Sequence, residues 1–122
     1  MWTENEQQFL ETQRIGRLAT IGRSGPQVRP VGFRLHGGGI DIGGAHLSRT
    51  QKWRNVQIDD RVAFVVDDLG ASAEFAPRGV EIRGHAVTML DGDELIRIHP
   101  VKVISWGLDA SSFAPATRIV DC

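Results

Sequence analysis

The stretch VRPVGFRLHGGGIDIGGAHLSRTQKWRN, residues 28–55, decides how this chain is interpreted. Two short apolar runs, 31–35 and 40–43, flank a glycine-rich turn, which is typical of a strand pair. A basic segment follows directly and contains Arg49, Lys52 and Arg54. A helix that begins there combines free backbone N–H groups with mobile positive charge. The stretch therefore predicts a place that holds an anionic group, with phosphate as the simplest choice.

The sequence on either side of this stretch predicts more short strands and one further helix. Thr3 and Glu6 form a T-x-x-E capping box, which predicts a helix over 3–13. Besides 27–35 and 40–43, alternation of apolar and polar residues predicts strands at 18–21, 61–67, 79–90, 95–98 and 101–106. A second helix is expected over 49–58. Six or seven strands with hairpin turns and few helices predict a mostly β fold, a small antiparallel β-barrel that forms one domain over residues 1–122.

Composition narrows the classes of function. The chain has 122 residues, of which 41% are hydrophobic, and a net charge of −1, so no overall field favours nucleic acid or a membrane. The charge is uneven, because residues 14–34 contain five arginines and no acid. The single cysteine, Cys122, can form no internal disulfide, and no basic and apolar leader precedes the first helix. We expect a cytoplasmic protein.

The predicted start of the second helix is the first candidate site. Ser48 and Thr50 are possible N-caps, and Lys52 adds a cationic donor. Gly43 and Gly44, just before it, let a backbone approach a ligand closely. The alternative is an ordinary solvated helix face, because the segment has no G-x-x-x-x-G-K-[ST] motif with a strict spacing.

Two further features allow a ring system to bind. A proline and a glycine within one strand, Pro30 and Gly32, are unusual and leave open space beside the backbone, although on these residues alone a β-bulge or a barrel corner is the preferred explanation. Trp106 can stack on a ring, pack in a dimer interface or belong to the core.

No set of side chains has the spacing of a catalytic or metal site. The four histidines are scattered, without a CxxC or HExxH pattern, so no metal site is predicted. No serine lies in a G-x-S-x-G elbow. If the protein is an enzyme, no side chain is expected to act as the catalytic group, and a cofactor brings the reactivity.

With these features together, the chain resembles the flavin and deazaflavin split-barrel proteins of the pyridoxamine 5′-phosphate oxidase-like superfamily. It is most similar to the actinobacterial branch that uses the deazaflavin coenzyme F420. Four segments carry the resemblance: IGRLATIGRSGPQVRPVGF (15–33), IDIGGAHLSRTQKWRNVQIDDRVAFVVDD (40–68), PRGVEIRGHA (77–86) and IRIHPVKVISWGLD (96–109).

The resemblance implies a six-stranded split barrel and a homodimer with cofactor sites at the subunit interface. In it, one strand lines the ring system, a following turn borders the ring, the second helix holds the phosphate, and a tryptophan reaches the cofactor from a C-terminal strand. The residues at these places are Arg29, Pro30, Val31, Gly32 and Phe33; Ile42, Gly43 and Gly44; Thr50, Gln51, Lys52 and Asn55; and Trp106. Arg54 is a weaker candidate for the anionic tail of the coenzyme.

The function that the resemblance implies is hydride transfer between coenzyme F420 and a small unsaturated organic molecule. The alternatives are an FMN-binding protein of the pyridoxamine 5′-phosphate oxidase type and a cofactor carrier or sensor without turnover. No R-x-H follows Trp106 and the tail is short, which argues against a vitamin phosphate as substrate. A small barrel that binds single-stranded nucleic acid is a third possibility, which the near-zero net charge disfavours.

Overall fold

The computed structural model describes residues 2–70, 76–90, 92–109 and 115–120; Cys122 and the middle of the predicted loop 68–77 lie outside these ranges. Among the described residues, no helix is long and apolar enough to cross a membrane. The elements in chain order are α1 (Glu4–Glu11), β1 (Ile15–Gly22), β2 (Gly25–His36), β3 (Gly39–Ile42), a 3-10 helix (Leu47–Arg49), α2 (Gln51–Ile58), β4 (Arg61–Asp68), β5 (Arg78–Met89), β6 (Leu95–Trp106) and β7 (Ala116–Ile119).

Six of the strands close into an antiparallel barrel. The hydrogen-bonded order is β3-β2-β1-β4-β5-β6, and β3 also pairs with the first part of β6, which closes the ring. β7 lies outside the ring and pairs with residues 102–105 of β6. The predicted mostly β, six-stranded split barrel with short helices is confirmed.

The predicted meander of the first three strands is also confirmed. β1 and β2 pair without a break from Ile15 opposite Gly32 to Gly22 opposite Gly25. β2 then changes partner, because its pairing with β3 begins at Phe33 opposite Ile42. The structure thus has no bulge at Pro30 in this ladder, and Gly32 marks the corner where β2 leaves β1.

The predicted break at His99-Pro100 is wrong, because β6 runs through both residues as one strand. The β5–β6 register shifts between Arg83 and Gly84, so that β6 has one extra residue, Val101, opposite them. Such a bulge accommodates a proline that cannot donate to the ladder. A side chain at Gly84 would place its Cβ 2.1 Å from the His99 carbonyl oxygen, so this close approach also requires glycine.

The barrel interior is filled by the apolar faces of the strands. Phe64 of β4 is 1% exposed and meets Phe33 of β2 edge to face, with ring centroids 5.2 Å apart. A Cβ at Gly16 would lie 2.1 Å from the Phe64 ring, so glycine makes room for this side chain. The core fixes which residues of β2 face inward.

A buried ion pair joins β3 to β6 at the closure of the barrel, and we call it the seam pair. Arg97 Nε donates to Asp41 Oδ1 at 2.8 Å and Arg97 Nη2 to Asp41 Oδ2 at 3.0 Å. The side chain of Asp41 is 4% exposed. The hydrogen bonds from Arg97 hold the pKa of Asp41 below its usual value, against the opposing effect of burial.

The two helices begin as their caps dictate. Thr3 and Glu6 form the predicted capping box of α1, and Glu6 also pairs with Arg118 of β7. The prediction that the second helix begins at Arg49 is wrong. Residues 47–49 form a 3-10 turn, and Thr50 is the N-cap of α2. Ser48 lies within that turn and does not cap α2.

Candidate functional site

One groove between β2 and the start of α2 brings five of the predicted site residues together. Its volume is about 730 Å³. The lining residues from the prediction are Arg29, Pro30, Thr50, Gln51 and Lys52, and β1 and β2 add Leu18, Thr20, Gln27 and Val28. We call this the anion groove.

The helix start in the anion groove is shaped by Thr50. Its hydroxyl accepts from the Trp53 backbone N–H at 3.3 Å and donates to the Leu47 carbonyl oxygen at 2.7 Å. The backbone N–H groups of Gln51 and Lys52 are in the first helical turn and have no acceptor within the helix. Trp53 and Val56 are buried, which anchors α2 against the barrel and fixes the direction of these donors.

The charge in the anion groove is positive and unbalanced. The pKa of Lys52 is lowered, first by partial burial of its ammonium group and then by repulsion from Arg29. No carboxylate is among the lining residues. A positive helix end and two cations that repel each other favour an anion between them.

Six arginines elsewhere in the described residues are matched to acids of the same chain. Six ion pairs consist of an arginine and a carboxylate: Arg17–Asp67, Arg61–Asp59, Arg78–Asp68, Arg83–Glu81, Arg97–Asp41 and Arg118–Glu6. Arg29, in contrast, lines the anion groove beside Lys52 with no carboxylate among the lining residues.

Asn55, which the resemblance places at the phosphate, lies behind the wall of the groove. It is 2% exposed. Its Nδ2 donates to Thr20 Oγ1 at 3.0 Å and to Gln27 Oε1 at 2.9 Å, and its Oδ1 accepts from Gln51 Nε2 at 2.8 Å. Asn55 thus holds three residues of the groove lining, and its part in phosphate binding stays a prediction.

A second, shallower surface is formed where glycines of β2 and the segment after β3 meet. Gly32, Gly43 and Gly44 line a depression of about 410 Å³ with Phe33, Arg34 and Asp41. A Cβ at Gly44 would contact nothing within 4 Å, and one at Gly32 only the Arg14 carbonyl oxygen at 3.9 Å. We call this the glycine surface, and its bare backbone is open to a flat ligand.

The side chains of the remaining predicted residues line neither the anion groove nor the glycine surface. Val31 and Ile42 are 7% and 0% exposed, so their side chains belong to the core and only their backbone can border a ligand. Trp106 packs against Gly79, and the depression beside it is lined by α1 and β7. Arg54 Nη1 donates to the Arg49 carbonyl oxygen at 3.1 Å and Nη2 to Gln51 Oε1 at 2.9 Å. Arg54 does not line the anion groove.

Sequence reasoning missed two polar residues of the anion groove, Thr20 and Gln27. Thr20 is 3% exposed and follows Leu18 on the inward face of β1. A polar residue at an inward position of an apolar strand is a signal that could have identified it. Gln27 gives no comparable signal. Among the described residues, no group of three or more His, Cys, Asp or Glu side chains could hold a metal ion.

Comparisons with known proteins identify the family of this chain. Residues 2–107 match the family model for pyridoxamine 5′-phosphate oxidase. A 5a,11a-dehydrotetracycline/5a,11a-dehydrooxytetracycline reductase from Streptomyces rimosus is 40% identical over 120 residues, which cover 88% of this chain and 84% of that protein.

Solved structures share the fold at lower identity. A conserved hypothetical protein from Mycobacterium tuberculosis has a TM-score of 0.71 at 23% identity, over 88% of this chain and 86% of its own. An FAD binding protein from Mycobacterium smegmatis has a TM-score of 0.68 at 19% identity, over 85% and 93% of the two chains. From the match over residues 2–107, together with the barrel, we conclude that this chain belongs to the pyridoxamine 5′-phosphate oxidase family.

Proposed function

We propose that the protein is an oxidoreductase that binds a phosphorylated flavin or deazaflavin and transfers hydride to or from a small unsaturated organic molecule. Coenzyme F420 is the cofactor we propose, and FMN is the alternative. The observation that carries the proposal is the anion groove, where Lys52 and Arg29 repel each other at a helix start without a carboxylate. Charge-assisted hydrogen bonds from such groups are the strong ones in phosphate recognition.

The donors of the groove fit a phosphate. Lys52 and Arg29 supply charge, and the first N–H groups of α2 supply directed donors beside them. The partial burial that lowers the pKa of Lys52 also leaves its ammonium group with fewer bound water molecules, so fewer must be displaced when a phosphate binds. An anion bound there would relieve the repulsion between the two cations.

The glycine surface fits the flat part of such a cofactor. A ring system laid on Gly32, Gly43 and Gly44 meets backbone where side chains would obstruct it. When bound, the deazaflavin supplies the hydride chemistry, which needs no acid or base from the protein. The chain's own residues hold the phosphate, position the ring and leave one ring face accessible to a substrate.

The relative from Streptomyces rimosus supports the direction and the substrate class. Its name describes reduction of a dehydrotetracycline, which is an unsaturated polycyclic molecule. With 40% identity over most of both chains, we propose that the substrate of this protein is an unsaturated molecule as well, whose carbon–carbon double bond takes up hydride from the reduced cofactor and a proton from water.

We further propose that the protein works as a homodimer. Residues 25–32 of β2 pair with β1 on one edge, and the other edge has no strand partner among the described residues. Val28 on this part of β2 is 62% exposed. A second copy seated here would cover this edge. Sedimentation of the protein with and without cofactor tests this proposal.

The test of the cofactor proposal is a fluorescence titration with F420 and with FMN. Replacing Lys52 with alanine should weaken binding of the preferred cofactor about tenfold or more, because a hydrogen bond to a charged group is worth about 1.5–3 kcal/mol. Lys102→Ala on β6 is the matched control, since this lysine lines neither surface. An unchanged Kd for both cofactors in Lys52→Ala would contradict the proposed phosphate site, and preferred binding of FMN would reject F420.

Turnover is tested separately from binding. The cofactor-loaded protein is mixed with a 5a,11a-dehydrotetracycline, and oxidation of the reduced cofactor is followed by absorbance. Tight binding without oxidation, for this and other conjugated enones, would favour a carrier or sensor over an enzyme.

A further inference from the structure

We propose that Arg54 is a positioning residue that fixes the direction of a hydrogen-bond chain, so that Thr20 and Gln27 present donors to the anion groove. The chain runs from Arg54 through Gln51 and Asn55 to these two residues. This inference rests on the proposed phosphate site and assigns to Arg54 a function at that site without contact with the ligand.

The direction of the chain is set at its outer end. A guanidinium group can only donate hydrogen bonds, whereas an amide side chain can be turned to donate or accept. Arg54 Nη2 donates to Gln51 Oε1 at 2.9 Å. The Gln51 carbonyl oxygen must therefore face Arg54, which turns the Gln51 amino group toward the barrel.

The middle of the chain transmits this orientation. Gln51 Nε2 donates to Asn55 Oδ1 at 2.8 Å, so the amino group of Asn55 lies on the opposite side. It donates one hydrogen to Thr20 Oγ1 at 3.0 Å and the other to Gln27 Oε1 at 2.9 Å. Because Asn55 is 2% exposed, water does not compete for these bonds.

The inner end of the chain delivers donors. With its oxygen accepting from Asn55, Thr20 keeps its O–H hydrogen for another acceptor, and Gln27 keeps its Nε2 group. Within the described ranges, neither donor has a partner in the protein, and both residues line the anion groove. The reverse orientation would consume both donors.

The position of Arg54 separates this function from direct binding. Arg54 lines a neighbouring depression of about 580 Å³, with Arg23, Ile58 and Asp59, and is not part of the anion groove. The two spaces share Gln27 and Gln51, which are members of the hydrogen-bond chain. An effect of Arg54 on the phosphate would therefore pass through these side chains.

The experiment compares each cofactor with its phosphate-free form. Kd values are measured for F420 and its phosphate-free ribityl deazaflavin, and for FMN and riboflavin, in the wild type and in Arg54→Met. We expect a loss of about five- to tenfold for the phosphorylated forms, the size of one hydrogen bond, and less than twofold for the others. Arg54→Lys, which keeps a donor-only group, should restore wild-type affinity within twofold. Equal losses for both forms, or no rescue by lysine, would overturn the proposal.

A double-mutant cycle distinguishes positioning from contact. In a Thr20→Val/Gln27→Met background, adding Arg54→Met should weaken phosphate-dependent binding less than twofold, because the inner donors are already gone. If the fold-losses in affinity of the separate changes multiply in the combined variant, Arg54 touches the ligand. A loss for F420 but not for FMN would mean the same. If the buried Thr20→Val change prevents folding, Gln27→Met alone is used as the background of the cycle. A wild type without any preference for the phosphorylated forms would reject the proposed phosphate site, and with it the function of Arg54.

Discussion

The seam pair and the anion groove use the same kind of residue for opposite purposes. At the seam, Arg97 meets the buried carboxylate of Asp41 through two hydrogen bonds, and the charges cancel within the protein. In the anion groove, Arg29 and Lys52 line the same space without an acid, and partial burial together with repulsion from Arg29 lowers the pKa of Lys52. The seam is complete without a ligand, whereas the groove has donors and charge in excess.

This difference indicates how a small barrel separates stability from binding. A cation with its own carboxylate cannot serve a ligand without breaking an existing pair, as at the seam. A cation held beside another cation lowers the stability of the unliganded protein, and that unfavourable energy is released when an anion binds. The predictions below test whether the two regions are as independent as their charges suggest.

The largest expected effect is at the seam. Replacing Arg97 with methionine leaves the carboxylate of Asp41 buried without its two hydrogen bonds from Arg97, and of the described residues only His36, with Nδ1 3.7 Å away, stays within ion-pair distance. This should lower the free energy of unfolding by about 3 kcal/mol at pH 7. Chemical denaturation followed by circular dichroism measures this loss. Arg83→Met is the matched control, because the side chain of Arg83 is 54% exposed and its pair with Glu81 should contribute little to stability.

The same variant should change the dependence of stability on pH. In the wild type the pKa of Asp41 is lowered, so its contribution is present above the unfolded pKa and is lost as pH falls through the folded value. Without Arg97 the pKa of Asp41 should lie above its wild-type value, because burial disfavours the charged carboxylate and, of the described residues, only His36 and Arg34 remain nearby to favour it. The stability deficit of Arg97→Met should then shrink as pH falls from 7 to 4. A deficit that grows on acidification would contradict this account of the seam.

Most strands of the barrel could be predicted from the sequence, but the continuity of β6 and the presence of β7 could not. Alternation in residues such as Val62, Phe64 and Val66 predicted the strands, since side chains of a strand point alternately to the two faces. The continuity of β6 through Pro100 was not predictable, because it depends on a bulge and on the missing side chain of Gly84, opposite Pro100. β7 was missed because its short pattern gains meaning only from pairing with β6.

The next effect concerns the glycine surface. Gly32→Val should fit the protein, because its Cβ has open space and a β-branched residue suits a strand. The added side chain would stand where we propose that the ring lies, and should weaken binding about tenfold, or about 1.4 kcal/mol. Titration should give the same loss for FMN and riboflavin, since the ring is common to both. A loss restricted to the phosphorylated form would mean that the ring lies elsewhere.

A smaller effect compares the two helix caps. Thr3→Ala and Thr50→Ala each remove an N-cap hydroxyl and should each lower stability by about 1 kcal/mol. Only Thr50 lines the anion groove, so only Thr50→Ala should weaken cofactor binding, by about threefold to tenfold. Thr3→Ala is the control for general loosening of the fold. Equal losses of affinity in the two variants would argue against a ligand at the start of α2.

The anion groove itself could be predicted only in part. The order of Thr50, Gln51 and Lys52 along the chain is visible in the sequence, because a cap and a helix start are local features. The proximity of Arg29 to Lys52 follows from how β2 and α2 pack. The contacts of Asn55 join parts of the chain that are 28 and 35 residues apart, and no local pattern specifies them.

The smallest expected effect is the most direct test of the excess charge in the groove. Lys52→Met keeps most of the side-chain stem but removes the charge that burial and Arg29 disfavour. The ligand-free variant should therefore melt about 1–2 °C higher than the wild type at pH 7. Because the folded pKa of Lys52 is lowered, the unfolded wild type binds more protons, and wild-type stability should rise with pH through the folded value. The difference in Tm should thus vanish at alkaline pH, whereas Lys102→Met should produce no such pattern.

With saturating cofactor the sign of the difference in Tm should reverse, since only the wild type gains from the phosphate. A Lys52→Met protein that is less stable than the wild type at neutral pH without ligand would mean that Lys52 is matched within the protein, as Arg97 is at the seam.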